Sequence, residues 1–264
     1  MTDFHVHTNL CDGKDSAAEM AKAAYEKGFS ALGFSGHSFV AFDDCCMTIE
    51  DTEKYCTQIE KLKTEYRGKM EIYCGIEQDY FSNETAHYYD YIIGSVHYIF
   101  KNDKYYSLDE SPEQLQALID ECYGGDCDAL AEDYFELMSN IVTKTNADII
   151  GHLDLITKFS SISKNYGNRY KTAALKAIKS LIPFNKPFEI NVGAMTRRYK
   201  NTPYPAKWLL EEICREGGNI ILSGDCHNKD YLGMYLDDAK SLALDCGFKT
   251  HLIIKNGKFT SIPL

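Results

Sequence analysis

The chain has 264 residues, a length that fits one α/β barrel or two small domains and is ample for a hydrophobic core. Its formal net charge of −11 argues against general nucleic-acid binding, because phosphate backbones need clustered lysine and arginine. No apolar run approaches the ~20 residues of a membrane span, so we expect no membrane association.

Hydrophobic runs alternate with helical segments along the chain. Ser16 is a suitable helix N-cap, Gly28 a suitable stop, and Pro112 stands at a first helical turn. In chain order the predicted elements are strand Thr2–His7, helix Ser16–Lys27, strand Ala31–Ser35, helix Thr48–Tyr66, strand Met70–Ile76, strand Asp90–Ile93, helix Ser111–Asp120, helix Asp126–Thr145, strand Asp148–Ile150, helix Arg169–Leu181, strand Phe188–Asn191, helix Pro205–Glu216, strand Asn219–Ser223, helix Gly233–Leu244, and a hairpin of His251–Ile254 and Lys258–Ile262 around Asn256-Gly257.

About seven strands separated by helices indicate βαβ units and a mostly parallel sheet. We find no linker rich in glycine, serine or proline, so we expect one domain over residues 1–264. The 10 cysteines form no pair of facing Cys-x-x-Cys knuckles, which excludes a structural zinc site of that type. With no signal peptide before the first strand, we expect free thiols in the cytoplasm.

Six of the 8 histidines stand at or just past the end of a predicted strand. In a parallel α/β barrel these ends converge on the face that carries the chemistry. The six histidines are His5, His7, His37, His97, His152 and His227, and the acidic residues Asp12, Glu77 and Asp225 occupy equivalent places. Any single histidine could be an ordinary polar loop residue, but their shared position predicts a metal site.

Two details refine this prediction. His5 and His7 are separated by one residue on a strand, so both imidazoles point the same way and can reach one ion. His87, among tyrosines, and His251, at the start of the terminal hairpin, do not fit the pattern, and we assign neither to the site.

Taken together, these motifs resemble the polymerase and histidinol phosphatase (PHP) superfamily. The resemblance spans almost the whole chain, in the order found in the family. Its parts are Phe4-His5-Val6-His7-Thr8, Cys11-Asp12-Gly13, Gly36-His37-Ser38, Gly75-Ile76-Glu77, Gly94-Ser95-Val96-His97, Gly151-His152-Leu153-Asp154 and Gly224-Asp225-Cys226-His227. The last differs from the Ser-Asp-Ala-His common in the family, but the spacing of Asp225 and His227 is kept.

Within this superfamily the chain looks most similar to the monofunctional histidinol-phosphate phosphatases of histidine biosynthesis. The pointers are the run from Asp90 to Tyr98, the insertion Tyr123-Gly124-Gly125-Asp126, the run from Gly151 to Ile156, and Glu189-Ile190-Asn191 followed by Arg197. The resemblance implies hydrolysis of L-histidinol phosphate on a distorted seven-stranded (β/α) TIM-like barrel, with the active site at the C-terminal ends of the strands.

The resemblance also implies three divalent transition-metal ions. The mixed nitrogen and oxygen donors suit Zn²⁺, Mn²⁺ or Fe²⁺. The first ion would be held by His5, His7, Glu77 and Asp225, the second by Glu77, His97 and His152, and the third by Asp12, His37 and His227.

Further residues are candidates for catalysis and substrate binding. Asp225 and His227 could pass a proton to the leaving group, and Arg197, which follows a strand, could clamp phosphate in a bidentate way. Arg198 is an alternative clamp, and Lys158 and Tyr98 are further substrate-binding candidates. Asp43, Asp44 and Asp79 could receive the substrate's amine.

Three classes of function stay open at this point. The first is histidinol-phosphate phosphatase, acting on a small phosphate monoester without nucleic acid or membrane as partner. The second is another PHP-type phosphoesterase: a nuclease, a nucleoside bisphosphatase or a protein-tyrosine phosphatase. The third is a non-catalytic metal-binding or regulatory protein, which the complete set of ligand positions disfavours. The sequence does not give the oligomeric state.

Overall fold

The computed structural model describes residues 1–83 and 89–264, and His87 lies outside these ranges. Strands alternate with helices along the described chain, as the sequence pattern predicts. The strands are β1 (Thr2–Asp3), β2 (Ala31–Phe34), β3 (Glu71–Asp79), β4 (Tyr91–Ser95), β5 (Tyr98–Lys101), β6 (Lys104–Ser107), β7 (Ile149–Ile150), β8 (Phe188–Asn191), β9 (Ile220–Ser223), β10 (Thr250–Lys255) and β11 (Lys258–Pro263).

One large sheet has the strand order β1-β2-β3-β4-β7-β8-β9-β10-β11. Neighbours from β1 to β10 are parallel, and β11 is antiparallel to β10. The predicted α/β class with a mostly parallel sheet is therefore confirmed. Because these strands are parallel, their C-terminal ends all lie at one edge of the sheet.

Strand ladders within the described residues do not run fully round a closed barrel. The first and seventh parallel strands, β1 and β9, are joined beyond their ends by an isolated parallel bridge between Val6 and Cys226. Here the Oδ1 atom of Asp3 accepts the backbone N–H groups of His5 and Gly224, at 3.1 and 2.9 Å, so a side chain replaces ladder hydrogen bonds. We call this junction of residues 3–7 with residues 224–227 the seam.

The longer helices follow the predicted segments, whereas the four-residue helices Ser160–Ser163 and Gly193–Thr196 were not predicted. The helices are α1 (Ala17–Glu26), α2 (Ile49–Glu65), α3 (Pro112–Tyr123), α4 (Cys127–Ser139), α5 (Ile141–Thr145), α6 (Ser160–Ser163), α7 (Asn168–Leu181), α8 (Gly193–Thr196), α9 (Lys207–Arg215) and α10 (Leu236–Asp245), with 3₁₀ turns at Leu155–Thr157, Ile182–Phe184 and Lys229–Tyr231. Ser16 caps α1 in a capping box with Glu19, as its position predicts. The prediction of a single helix over Asp126–Thr145 was wrong, because Asn140 separates α4 from α5.

In the described part of the chain, every helix is too short or too polar to cross a bilayer.

The sequence analysis missed the hairpin of β5 and β6. Its turn residues Asn102 and Asp103 have φ angles of 51° and 59°, the left-handed conformation that a two-residue hairpin turn requires. The predicted terminal hairpin is confirmed, with Asn256 and Gly257 at φ angles of 49° and 69°.

The buried ring of Tyr91 ties the first four parallel strands together. A Cβ atom added at Gly75 would lie 2.3 Å from this ring, and one added at Gly33 would lie 2.4 Å from its hydroxyl. That hydroxyl lies 2.6 Å from the carbonyl oxygen of Phe4 and 2.9 Å from that of Phe34. The two glycines thus leave the space in which Tyr91 bonds to the backbone of neighbouring strands.

We expect Tyr91→Phe to lower the free energy of unfolding by about 1–3 kcal/mol, because it leaves buried carbonyl oxygens short of a donor. Urea denaturation of the two proteins measures this change. Tyr25→Phe is the matched control, since Tyr25 is 47% exposed, and it should change stability by less than about 0.5 kcal/mol. Equal effects of the two substitutions would contradict the role assigned to Tyr91.

Candidate metal centre

The nine predicted donor side chains lie together at the C-terminal edge of the parallel strands. Seven of them line a cleft of about 470 Å³, namely Asp12, His37, Glu77, His97, His152, Asp225 and His227. His5 and His7 lie fully buried beneath it. The rings of His5 and His7 are 5.1 Å apart, on one side of the chain, as their spacing predicts.

Glu77, in β3 and 1% exposed, is the centre of this arrangement. Five imidazoles surround its two carboxylate oxygens. Its Oε1 atom lies 3.0 Å from Nε2 of His152 and 3.3 Å from Nε2 of His97. Its Oε2 atom lies 3.0 Å from Nδ1 of His37, 3.3 Å from Nε2 of His5 and 3.6 Å from Nε2 of His7.

Asp12 forms a second focus at the mouth of the cleft. Its Oδ2 atom lies 2.9 Å from Nε2 of His227 and 3.6 Å from Nε2 of His37, and its Oδ1 atom lies 3.3 Å from Nδ1 of His7. Asp12 is therefore placed between histidines from three different strand ends.

Three sets of donor atoms each converge closely enough to hold an ion: His7, Asp12, His37 and His227; His5, His7 and Asp225; and His37, Glu77 and His97. Ligands bound at about 2.1 Å to one ion lie roughly 3.0–3.4 Å apart, which matches most of the contacts above.

Unsatisfied atoms provide a second test of fit. Nε2 of His5, Nε2 of His7 and Oε2 of Glu77 are buried and have no hydrogen-bond partner among the described residues. Buried polar atoms are normally paired, so three such atoms facing one another indicate a position for a cation.

The electrostatics favour the ligand forms of Glu77 and His227, whereas nearby carboxylates outweigh burial and raise the pKa values of the other histidines with a resolved shift, namely His5, His7, His37 and His97. Burial alone would raise the pKa of Glu77, but the surrounding imidazoles, led by His5, hold that pKa well below its ordinary value. Burial and the charges of His7 and Arg197 lower the pKa of His227 to about 4. At neutral pH Glu77 is thus ionised and His227 is neutral, as metal binding requires.

Two acidic residues that the sequence analysis did not assign to the centre orient its histidines. Glu189, in β8, accepts a hydrogen bond from Nδ1 of His5 at 2.7 Å and one from the backbone N–H of His152 at 3.1 Å. Asp79 lies 3.2 Å from Nδ1 of His97. Such contacts fix the tautomer that leaves Nε2 free for a metal. Asp79 is 3% exposed and engaged in this way, rather than placed to receive a substrate amine.

We expect Glu189→Gln to weaken metal affinity by about 10–100-fold, because the neutral amide no longer supports His5 as a ligand. Competition for zinc with a chromogenic chelator measures this affinity. Glu211→Gln, an exposed change on α9, is the matched control and should leave the affinity unaltered. If the two variants bind zinc equally well, Glu189 does not position the ligand.

Asp225, two residues after the end of β9, is held in an unusual backbone conformation. Its φ angle is 46°, in the left-handed region that non-glycine residues rarely adopt. A Cβ atom at Gly193 would lie 2.6 Å from its Oδ2 atom, so this glycine makes room for the carboxylate. Oδ1 then lies 3.3 Å from Nε2 of His7, and Oδ2 accepts a hydrogen bond from Arg197.

The remaining predicted residues differ in their surroundings. Arg197, after α8, lines the cleft and bonds through Nη2 to Asp225 at 3.0 Å and through Nη1 to Nδ1 of His227 at 2.8 Å.

Lys158 also lines the cleft, but its Nζ atom is bound to the carbonyl oxygen and carboxylate of Asp109, at 2.6 and 3.0 Å. Tyr98 lines it and donates to Asp43 at 2.7 Å. Arg198 is exposed, and His251 lies in β10.

The chain matches the family model described as the PHP domain over residues 3–193. It is 26% identical to the histidinol-phosphatase of Bacillus subtilis over 256 residues, which is 88% of this chain and 95% of that protein. Its fold is similar to that of the histidinol phosphate phosphatase of Lactococcus lactis, solved with zinc, L-histidinol and phosphate. That comparison has a TM-score of 0.72 at 20% identity and covers 98% of each chain. With more than half of its length matched by the family model, the chain belongs to the PHP domain family.

Proposed function

We propose that this protein is a metal-dependent histidinol-phosphate phosphatase, which hydrolyses L-histidinol phosphate to L-histidinol and phosphate. The single observation that carries the proposal is the cluster of histidines around Glu77, at the floor of a cleft large enough for a small phosphate monoester. The names of the relatives supply the substrate. The Bacillus subtilis protein is a histidinol-phosphatase, and the Lactococcus lactis structure holds zinc, L-histidinol and phosphate.

The donor groups divide among the three proposed ions as follows. His5, His7, Glu77 and Asp225 would hold the first; Glu77, His97 and His152 the second; and Asp12, His37 and His227 the third. Bound divalent ions supply a hydroxide nucleophile near neutral pH and neutralise charge on the phosphate oxygens. Zinc, manganese and iron all suit this donor set.

Arg197 would bind and orient the phosphate from the side of the cleft. Two of its guanidinium nitrogens already bond to Asp225 and His227, which fixes the plane of the group in the cleft. A guanidinium in a fixed plane recognises phosphate oxygens in a bidentate way. Lys158 and Tyr98, which line the same cleft, would complete the substrate site.

Asp225 and His227 are the proposed proton carriers. Arg197 and His5 outweigh the effect of burial and hold the pKa of Asp225 well below its ordinary value, and the pKa of His227 is about 4. At neutral pH Asp225 is therefore ionised and His227 is neutral. We infer that they accept the proton released by the attacking water and then deliver it to the leaving alkoxide of the alcohol.

Phosphate release from a panel of substrates, before and after removal of bound metal, tests this function. We expect a kcat/KM for L-histidinol phosphate at least about 100-fold above those for nucleoside monophosphates and nitrophenyl phosphate, a difference of ~2.7 kcal/mol in transition-state binding. Dialysis against a chelator should abolish this activity, and zinc, manganese or iron should restore it. Equal turnover of all monoesters, or digestion of a single-stranded oligonucleotide, would reassign the chain to another PHP-type phosphoesterase.

A further inference from the structure

A second cleft, of about 500 Å³, opens beside the metal centre and takes no part in the chemistry above. Its walls are the 3₁₀ turn Leu155–Thr157, the helices α6, α7 and α9, and the residues 199–202 between them and the metal centre. Tyr199 lines both this second cleft and the catalytic cleft.

The walls of the second cleft are rich in aromatic rings. The rings of Tyr166 and Tyr170 are stacked, with centroids 4.9 Å apart and planes 12° apart. Trp208 meets Tyr170 edge-on at 6.0 Å, and Tyr199 contributes a ring that is 46% exposed. Four rings around one opening provide faces and edges against which a planar ligand ring can pack.

The floor carries a buried acceptor that lacks a partner. The side chain of Asp154 is fully buried, and its Oδ2 atom accepts the backbone N–H of Ala206 at 3.1 Å. Its Oδ1 atom has no hydrogen-bond partner among the described residues. A buried carboxylate oxygen without a donor is costly, so the cleft is suited to a ligand that brings an N–H group.

Two lysines give the second cleft positive charge nearer to the solvent. Nζ of Lys200 donates to Oγ1 of Thr157 at 2.8 Å and lies 4.3 Å from the centroid of the Tyr204 ring, which leaves it further N–H groups. Lys171, on α7, is exposed at the opening. The cleft therefore offers an acceptor for an ammonium group and two donors for a carboxylate.

We propose that the second cleft binds a free α-amino acid with a planar ring as its side chain. The ring packs among Tyr166, Tyr199 and Trp208, the ammonium donates to Oδ1 of Asp154, and the carboxylate pairs with the lysines. A nucleotide would satisfy the rings and the lysines, but at neutral pH it carries no ammonium group to offset the buried charge of Asp154.

We expect a ligand in the second cleft to alter substrate binding in the catalytic cleft, an expectation that rests on the proposed function. Lys158 lines the catalytic cleft, and its Nζ atom lies 4.7 Å from the centroid of the Tyr199 ring. Arg197, which also lines that cleft, is two residues before Tyr199 in the chain. A ligand packed against Tyr199 therefore acts on two of the proposed substrate-binding residues, and we expect it to raise KM with little change in kcat.

Trp208 is the only tryptophan in the sequence, so its fluorescence reports on the second cleft directly and without any need for activity. We expect a saturable fluorescence change on titration of the metal-loaded protein with L-phenylalanine or L-histidine. Phenethylamine lacks the carboxylate and 3-phenylpropionate lacks the ammonium, and each should bind at least about tenfold more weakly than L-phenylalanine. No saturable change with either amino acid, or equal affinity for adenosine monophosphate, would overturn the proposal.

A charge reversal at the opening provides the matched pair of variants. Lys171→Glu should weaken L-phenylalanine binding by at least about tenfold, whereas Lys179→Glu, an equal charge change on α7 outside the second cleft, should not. Equal binding by both variants would contradict the assigned role of the lysines. Because the fluorescence titration needs no turnover, its result would hold even if the protein were not a histidinol-phosphate phosphatase. An unchanged KM at saturating amino acid would overturn only the predicted effect of the second cleft on the catalytic cleft.

Discussion

Glu77→Ala is expected to abolish both metal binding and phosphatase activity, with kcat/KM falling by about 10⁴-fold or more, the scale of deleting a central catalytic group. The reason is the position of this carboxylate, with five imidazoles within 3.6 Å of its two oxygens. Without it, buried imidazoles lose the anion that offsets the charge of bound cations. Metal analysis of the purified variant, together with phosphate release, measures both effects.

The controls separate loss of metal from loss of fold. Glu77→Gln keeps the volume and one oxygen but removes the charge, so we expect metal content between those of the wild type and the alanine variant. Glu65→Ala removes an exposed carboxylate at the end of α2 and should behave as the wild type. Circular dichroism of each variant shows whether the fold is kept. A folded Glu77→Ala protein with normal metal stoichiometry and full turnover would refute the proposal that Glu77 is a ligand shared by two ions.

Arg197→Lys is expected to lower kcat/KM by about 10²–10³-fold while leaving metal content unchanged. Lysine keeps the positive charge but offers a single point donor in place of the planar fork. In this cleft the fork spans Asp225 and His227, so an ammonium group cannot keep both bonds and bind phosphate in two places. Steady-state kinetics with L-histidinol phosphate measures the loss.

The neighbouring arginine provides the control for this change. Arg198 is exposed and has a φ angle of 62°, so its side chain leaves the backbone in a different direction from that of Arg197. Arg198→Lys should keep wild-type kinetics. Unchanged KM and kcat in Arg197→Lys would show that the phosphate clamp lies elsewhere.

The candidate donor residues could be predicted from the sequence because most of them lie near or just past the end of a hydrophobic strand. Parallel strands bring those ends together whatever the details of packing, so His5, His97 and His152 needed only the alternation of strands and helices to be grouped. Their neighbours were harder to predict. Glu189 lies within the buried strand β8, and only its contact with Nδ1 of His5 reveals its role.

Several features of the fold were not predictable from the sequence. The break at Asn140 and the turn at Asn102-Asp103 depend on local conformations that many sequences tolerate. The second cleft likewise requires Tyr166, Tyr199 and Trp208 to meet from separate segments. The carboxylate of Asp3, which replaces ladder hydrogen bonds, explains why Thr2–His7 is a strand of two residues rather than six.

The seam has a mechanical consequence for the whole molecule. His5 and His7 stand on one of its sides, and Asp225 and His227 on the other, so an ion bound by these residues would link the two sides. Without that ion the seam would keep its direct contacts, which include the Val6–Cys226 bridge, the carboxylate of Asp3 and the hydrogen bond from the backbone N–H of Lys14 to the carbonyl oxygen of His227 at 2.8 Å. Metal binding and stability would thereby be coupled, and we expect metal depletion to loosen the protein first along the seam.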